Sequence, residues 1–156
     1  MKSQTARATR IINAPAETIY NIIADFRNQH GQILPTQYFQ ALEVEEGGFG
    51  AGTITRFQMT LLGQTKSFRT LITEPEPGRV LIETDIQSGT PTTFTVSPLE
   101  DGDGSRVEIA TELRSENMAE NLIGKFMLQK VYRAELELLA RQAEKQGLLV
   151  NSASAN

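Results

Sequence analysis

The sequence predicts an α+β domain in which a long antiparallel sheet curls around one long C-terminal helix. Three observations carry this. From Tyr38 onward, strand-like runs follow one another over 38–46, 53–62, 65–74, 79–87, 92–99 and 106–114, with the period of two that a pleated surface imposes. Only short glycine- and proline-bearing turns separate them ("GGFGAG", "LGQ", "EPEPG", "QSGTP", "EDGDGS"). Such connections suit antiparallel neighbours, because parallel strands need long crossovers. Finally, the stretch from about Glu116 to Gln146 contains no proline and is dense in apolar residues, as a long packed helix requires.

Taken in order, Thr5 to Ile12 is a short β-type segment whose facing is ambiguous. "NAPAETIYNIIADF" then reads as a helix: Asn13 is a capping residue, Pro15 suits the first turn and Glu17 favours the positive end of the dipole. Ile19, Ile22, Ile23 and Phe26 recur at helical spacing, and the helix is expected to stop near Arg27 or Asn28. "NQHGQILP" suggests a second short helical turn before Pro35. In the strands, Thr53, Thr55, Phe57, Met59 and Leu61 share a face, as do Phe68, Thr70 and Ile72. Val80, Ile82, Thr84 and Ile86 form the apolar set of the next run, followed by Phe94 and Val96, then by Val107, Ile109, Thr111 and Leu113. One sheet face is therefore expected to be apolar and the other wet. In the final helix the apolar residues cluster first around Leu122, Ile123, Phe126 and Met127, then move round to Tyr132, Leu136, Leu139 and Ala143. Gly124 marks a bend or a close approach to the sheet, and Gly147 is a plausible stop. Residues 1–148 then form one domain, and 149–156, ending in "NSASAN", a mobile tail.

The whole-chain properties exclude several function classes. A net charge of −4 without a basic cluster argues against a nucleic-acid or anionic-membrane surface. The absence of cysteine excludes a disulfide framework, a thiolate nucleophile and a cysteine zinc site. One histidine, His30, excludes a multi-histidine metal centre, and "DGDG" (Asp101 to Gly104) lacks the closing glutamate of a calcium loop. No apolar run has signal-peptide or transmembrane character, so a cytoplasmic protein without stable membrane insertion is expected. The glycines of "EEGGFGAGTIT" lie between two strand runs, with neither lysine nor a following helix. They therefore form a hairpin loop rather than a phosphate cradle.

The inward strand residues Thr55, Phe57, Met59, Phe68, Thr70, Ile72, Ile82, Thr84, Phe94, Val96, Ile109 and Thr111 are apolar or threonine. They would either fill a core or line a cavity capped by Met118, Leu122 and Phe126. No carboxylate, histidine or arginine lies in the middle of this register, so acid–base groups would have to come from helices, loops or rim. Asp25, His30, Tyr38, Arg56 and Glu116 are the candidates there. A lone histidine in a polar loop is ordinarily a solvated residue; the functional alternative is a gate or acid–base group at a pocket mouth. Tyr38 is a packing residue or a ligand contact, and Arg56 falls on the outward register.

Four stretches in order resemble the START-like (SRPBCC) superfamily: "INAPAETIYNIIADF", "VEEGGFGAGTITRF", "ITEPEPGRVLIE" and "TFTVSPLEDGDGSRVEIATELR". The similarity spans about residues 5 to 146. It implies a helix-grip fold, a seven-stranded antiparallel sheet around the C-terminal helix with a cavity between them. Many members carry a tryptophan after the first helix; here His30 and Tyr38 stand in that region. The resemblance turns the balance from a filled core to a cavity. The expectation is a binding module for a hydrophobic or amphipathic small molecule, monomeric or homodimeric, without metal or cofactor. The expected ligand-binding residues are Phe57, Met59, Phe68, Thr70, Ile82, Thr84, Phe94, Val96, Ile109, Met118, Leu122 and Phe126. His30, Tyr38 and Phe49 are expected at the cavity mouth, Phe49 at the tip of a mobile glycine lip. The alternatives are an enzyme resembling polyketide cyclases and dehydratases, with His30 or Tyr38 assisting, and a chaperone-activator-like interaction domain.

Overall fold

The computed structural model describes residues 3–154, and side chains as far as Leu148. In chain order the elements are β1 (Ser3–Ile12), α1 (Ala16–Ala24), a 3₁₀ turn (His30–Ile33), β2 (Phe39–Glu46), β3 (Ile54–Leu61), β4 (Gln64–Glu76), β5 (Val80–Asp85), β6 (Pro91–Pro98), β7 (Ser105–Arg114) and α2 (Met118–Ser154). The strands form one antiparallel sheet in the order β1-β7-β6-β5-β4-β3-β2. Every neighbouring pair from β2 to β7 is sequential, as the short turns require. The tightest turn, at Leu62 and Gly63, has both residues at positive φ, the geometry whose twist matches a two-residue hairpin.

The core lies where α1, the sheet and the second half of α2 meet. Ile19, Ile22 and Ile23 of α1, Ile72, Leu81, Phe94, Val96, Val107 and Ile109 of the sheet, and Val131, Leu136 and Leu139 of α2 are buried. Each such aliphatic or aromatic side chain contributes about 1.5–3 kcal/mol by leaving water. The predicted stripe Tyr132, Leu136, Leu139 and Ala143 is buried throughout.

Several boundaries differ from expectation. Pro15, not Asn13, occupies the N-cap position of α1, and no side chain caps it. The helix ends at Ala24, where Asp25 turns the chain and accepts the Asn28 N–H at 3.1 Å. α2 starts with a conventional cap, the Asn117 side chain accepting the N–H groups of Ala119 (3.0 Å) and Glu120 (3.3 Å). It does not stop at Gly147 but runs to Ser154, through most of the predicted tail. Gly147 does not adopt the left-handed conformation that ends a helix, so it only weakens the local propensity. Residues 155–156 lie outside the described residues.

The glycine loop between β2 and β3 is fastened to the end of α1. Gly50 N–H donates to Ala24 O (2.9 Å), Phe26 N–H donates to Gly48 O (2.9 Å), and Ala51 N–H donates to Glu74 Oε1 (2.6 Å). Glu74 is itself held by the Tyr20 hydroxyl at 2.8 Å. Gly50 has φ +64°, and a Cβ there would lie 2.0 Å from Glu74 Oε1. Gly50→Ala is therefore expected to lose about 2 kcal/mol, from the left-handed conformation and from displacing a tethered carboxylate. Urea titration checks this; a loss below about 0.5 kcal/mol would mean that the loop relaxes freely.

Candidate functional site

The first half of α2 stands away from the sheet. Met118, Leu122, Ile123 and Phe126 are 46–69% exposed, whereas Val131 onward is packed. The gap is a cavity of about 590 Å³. Its walls are Phe57, Met59 and Leu61 of β3, Phe68 and Thr70 of β4, Thr92 of β6, Thr111 and Leu113 of β7, and Ile123, Gly124, Met127, Leu128 and Tyr132 of α2. A Cβ on Gly124 would touch Leu113 at 3.4 Å, so the glycine marks the close approach to the sheet; α2 is continuous through it. At the inner end is a smaller chamber of about 60 Å³, with Phe26, His30, Phe39, Phe94 and Glu135 among its walls. Phe57, Met59, Glu83, Thr92 and Tyr132 line both spaces, so the two adjoin.

Of the expected ligand-binding residues, Phe57, Met59, Phe68 and Thr70 line the larger cavity, and Phe94 lines the inner chamber. Val96 and Ile109 are buried in the core and line neither. Met118, Leu122 and Phe126 are exposed; Ile123, Met127 and Leu128 face the cavity in their place. Tyr38 packs against the core from outside both chambers. Phe49 is 60% exposed beside Asp25 on the fastened loop, away from both chambers. Arg56 lies on the outer surface, paired with Glu45 at 2.8 Å.

Ile82 and Thr84 face outward. In an antiparallel sheet, directly paired residues share a face. Ile72 pairs with Glu83, Thr70 with Asp85, and Leu81 with Phe94. Inward-facing Ile72, Thr70 and Phe94 therefore bring Leu81, Glu83 and Asp85 inward, and turn Ile82 and Thr84 out. The expectation of an inward register without carboxylates is thereby overturned. The irregularity between Thr73 and Glu76, at the hairpin leading into β5, sets this phase.

The floor of the inner chamber is polar. His30 is 2% exposed, stacked on Phe26 (centroids 4.3 Å apart) and edge-on to Phe94 (5.9 Å). It is neither a solvated loop residue nor a group at the mouth. Its Nδ1–H donates to Ile23 O at 2.7 Å, leaving Nε2 as an acceptor 3.3 Å from Glu83 Oε1. That contact is not aligned as a hydrogen bond, and Glu83 Oε1 and Glu135 Oε1 are buried without a partner. Burial pushes His30 down to about 4 and Glu83 up to about 8, so at neutral pH the acid holds the proton and the imidazole is neutral. Burial, and then the nearby Glu83, raise Glu135 as well. Burial also raises Tyr132, whose hydroxyl is bonded to Thr111. The cavity threonines pair across strands, Thr55 with Thr70 at 2.6 Å and Thr92 with Thr111 at 2.7 Å. The arrangement offers a protonated carboxyl beside a neutral base, within apolar walls. Among the described residues, no cluster of three or more His, Asp or Glu is placed to hold a metal ion. None of the described helices is long and apolar enough to cross a membrane.

Sequence reasoning missed Glu83 and Glu135. For Glu83 the signal lay in counting the register from Ile72; for Glu135, in its place one turn beyond buried Val131 and beside Leu136.

Solved structures share this fold. The KanY protein is similar at 23% identity and TM-score 0.81, over 92% of this chain and 99% of that one. A START superfamily protein from Mycobacterium smegmatis matches at 16% identity and TM-score 0.71, over 91% and 98%. The Zhui aromatase/cyclase from a Streptomyces species matches at 16% and 0.69, over 93% and 96%. No curated protein matches the chain. The family model described as polyketide cyclase / dehydrase and lipid transport matches residues 3–144. With the helix-grip architecture and the cavity between sheet and helix, this match establishes that the chain belongs to the polyketide cyclase / dehydrase and lipid transport family, within the START-like fold.

Proposed function

We propose that this chain holds a hydrophobic or amphipathic small molecule between the sheet and α2, as a carrier or sensor. The observation that carries this reading is the cavity of about 590 Å³, within the range of small-molecule sites, with walls mainly of Phe, Met, Leu and Thr. It would act in the cytoplasm as a monomer or homodimer, with neither metal nor cofactor. Native mass spectrometry of the freshly isolated protein, with Nile red titration, tests it. The expected result is a co-purified small molecule or saturable dye binding at one site. A protein that takes up neither the dye nor any member of a lipid and aromatic panel would overturn it.

A second reading, an enzyme of the cyclase or dehydratase type, is favoured by one observation: the neutral His30 beside the Glu83 carboxyl. Glu83 would donate its proton to a ligand carbonyl oxygen while His30 Nε2 takes the proton from the adjacent carbon, giving the enol. Turnover of a model β-keto substrate by the wild type, lost in Glu83→Gln, is the expected signature. Equal turnover in the variant would exclude it.

A further inference from the structure

The inner chamber holds two carboxyl groups and no cationic side chain. Its polar side chains are His30, Thr55, Glu83, Thr92, Tyr132 and Glu135, with neither lysine nor arginine. The hydroxyls are engaged among themselves: Thr55 with Thr70, Thr92 with Thr111, and Thr111 with Tyr132. His30 uses its Nδ1–H on Ile23 O. Each of these hydroxyl networks leaves one O–H donor over; beside them stand Nε2 of His30 and the two carboxyl groups, one buried oxygen of each without a partner. Glu135 is 2% exposed and lines the chamber. An unpartnered buried carboxyl oxygen is costly, and its natural complement is a group carrying several N–H donors and positive charge.

The surroundings favour the same complement. Phe26, Phe39, Phe57, Phe94 and Tyr132 surround the chamber with aromatic rings, and a cation over such a ring is attracted by its quadrupole. The larger cavity adds Asp85 and Glu120 and only Lys66, so carboxyl groups outnumber ammonium groups along the way in. Such a lining focuses a negative potential. A water needs about 10–15 Å³ of such space, so a chamber of about 60 Å³ admits an amine head and its first carbons while the apolar body stays in the larger space.

We propose that the ligand carries a basic nitrogen, a primary or secondary amine bound as the ammonium, which sits against Glu135 and Glu83 beneath the rings of Phe39, Phe57 and Phe94. This rests on the reading of the cavity as a ligand site and names the chemical class. The titratable groups facing the head group are Glu83 on β5, Glu135 and Tyr132 on α2, and His30 on the 3₁₀ turn; Lys66, Asp85 and Glu120 face the ligand body. The ammonium arrives protonated, a carboxylic acid in the chamber gives up its proton to solvent, and the ion pair forms. One proton is released for each amine bound.

The test is a matched series sharing one body: 2-naphthylmethylamine, 2-naphthalenemethanol and 2-naphthoate. Calorimetry at pH 7.5 in phosphate and in Tris reads both affinity and proton release, with Nile red as a probe that has no basic nitrogen of this type. The amine should bind at least about tenfold more tightly than the alcohol, as charge-assisted bonds and ring contacts require. Its apparent heat should differ between buffers by the amount expected for proton release. In Glu135→Gln or Glu83→Gln, checked for folding by circular dichroism, the ratio of amine to alcohol affinity should fall toward one. Alcohol or naphthoate binding as tightly as the amine, or an undiminished preference in both variants, overturns the amine assignment while Nile red binding leaves the cavity reading standing. Failure of Nile red and all three compounds overturns both.

Discussion

His30→Ala is expected to lower the unfolding free energy by about 3–5 kcal/mol, the range for truncating a fully buried aromatic side chain. Two losses combine. The ring is packed between Phe26, just past α1, and Phe94 of β6, so its removal leaves a hole between two parts of the chain. The second loss is local to α1. The last carbonyls of a helix have no partner within it. Here Asp25 N–H takes Asn21 O, Gly50 N–H takes Ala24 O, and the His30 ring takes Ile23 O. His30 is thus the side chain that closes the C-terminal end of α1, and without it a buried carbonyl is orphaned at a cost of about 1–3 kcal/mol. His30→Phe separates the two: it keeps a ring in the site and loses only the bond, so it should fall between alanine and wild type. Urea titration of the three proteins checks the order. A loss below about 1 kcal/mol for alanine would mean that the ring is not a structural member of this site. Ligand or turnover measurements on His30→Ala are therefore interpretable only at temperatures where the variant remains folded.

Much of the architecture was legible because it rests on periodicity, and the misread part of the site is where periodicity and burial disagree. The alternation in β3, β4, β6 and β7 is shared by hydrophobicity and by facing, so those strands read correctly. In β5 they conflict. Val80, Ile82 and Thr84 look like the inward set, yet pairing with β4 and β6 turns Leu81, Glu83 and Asp85 inward. A one-residue slip exchanges every side chain between faces, and the irregular β4–β5 hairpin determines that phase through pairing that local alternation does not encode. His30 was hidden in the same way. "NQHGQ" is polar on both sides, but the 3₁₀ turn buries His30 and Ile33 together. The first half of α2 errs in the opposite direction: Leu122 and Phe126 carry an apolar stripe that a filled core would bury, and they remain exposed beside an open cavity. These three misreadings lie beside the cavity or at its floor, as expected where local preference is overridden for a site.

The stability of the chain should decline as the pH rises from about 6.5 to above 8, and Glu83→Gln should flatten that decline. Glu83 titrates near its ordinary 4.5 when unfolded and at about 8 when folded. A raised folded value means that its contribution is fully present below 4.5 and is lost as the pH rises through 8. His30 has the opposite sign, ordinary at 6.5 and about 4 when folded. Its contribution is present above 6.5 and is lost as the pH falls toward 4. Between 4.5 and 6.5 the slopes of this pair offset: unfolding moves a proton from the Glu83 carboxyl to the imidazole, and the pair's net number bound is unchanged. Above 6.5 the Glu83 contribution is no longer offset, with a slope approaching about 1.4 kcal/mol per pH unit for one group. Glu135, raised by burial and by Glu83, adds a fall in the same direction that begins at its ordinary 4.5 and so runs through the whole window. Removing the Glu83 charge also relieves Glu135, so the double variant Glu83→Gln, Glu135→Gln should be the flattest of the series. Urea denaturation of wild type and both variants at pH 5.5, 6.5, 7.5 and 8.5 measures this. The fingerprint is a shallower wild-type fall between pH 5.5 and 6.5, where His30 offsets one of the two carboxyls, a steeper fall thereafter, and the progressive loss of that steeper fall in the variants. A wild-type stability that rises from pH 6.5 to 8.5 would place a charged carboxylate in the folded chamber, and the neutral acid–base pair would have to be abandoned.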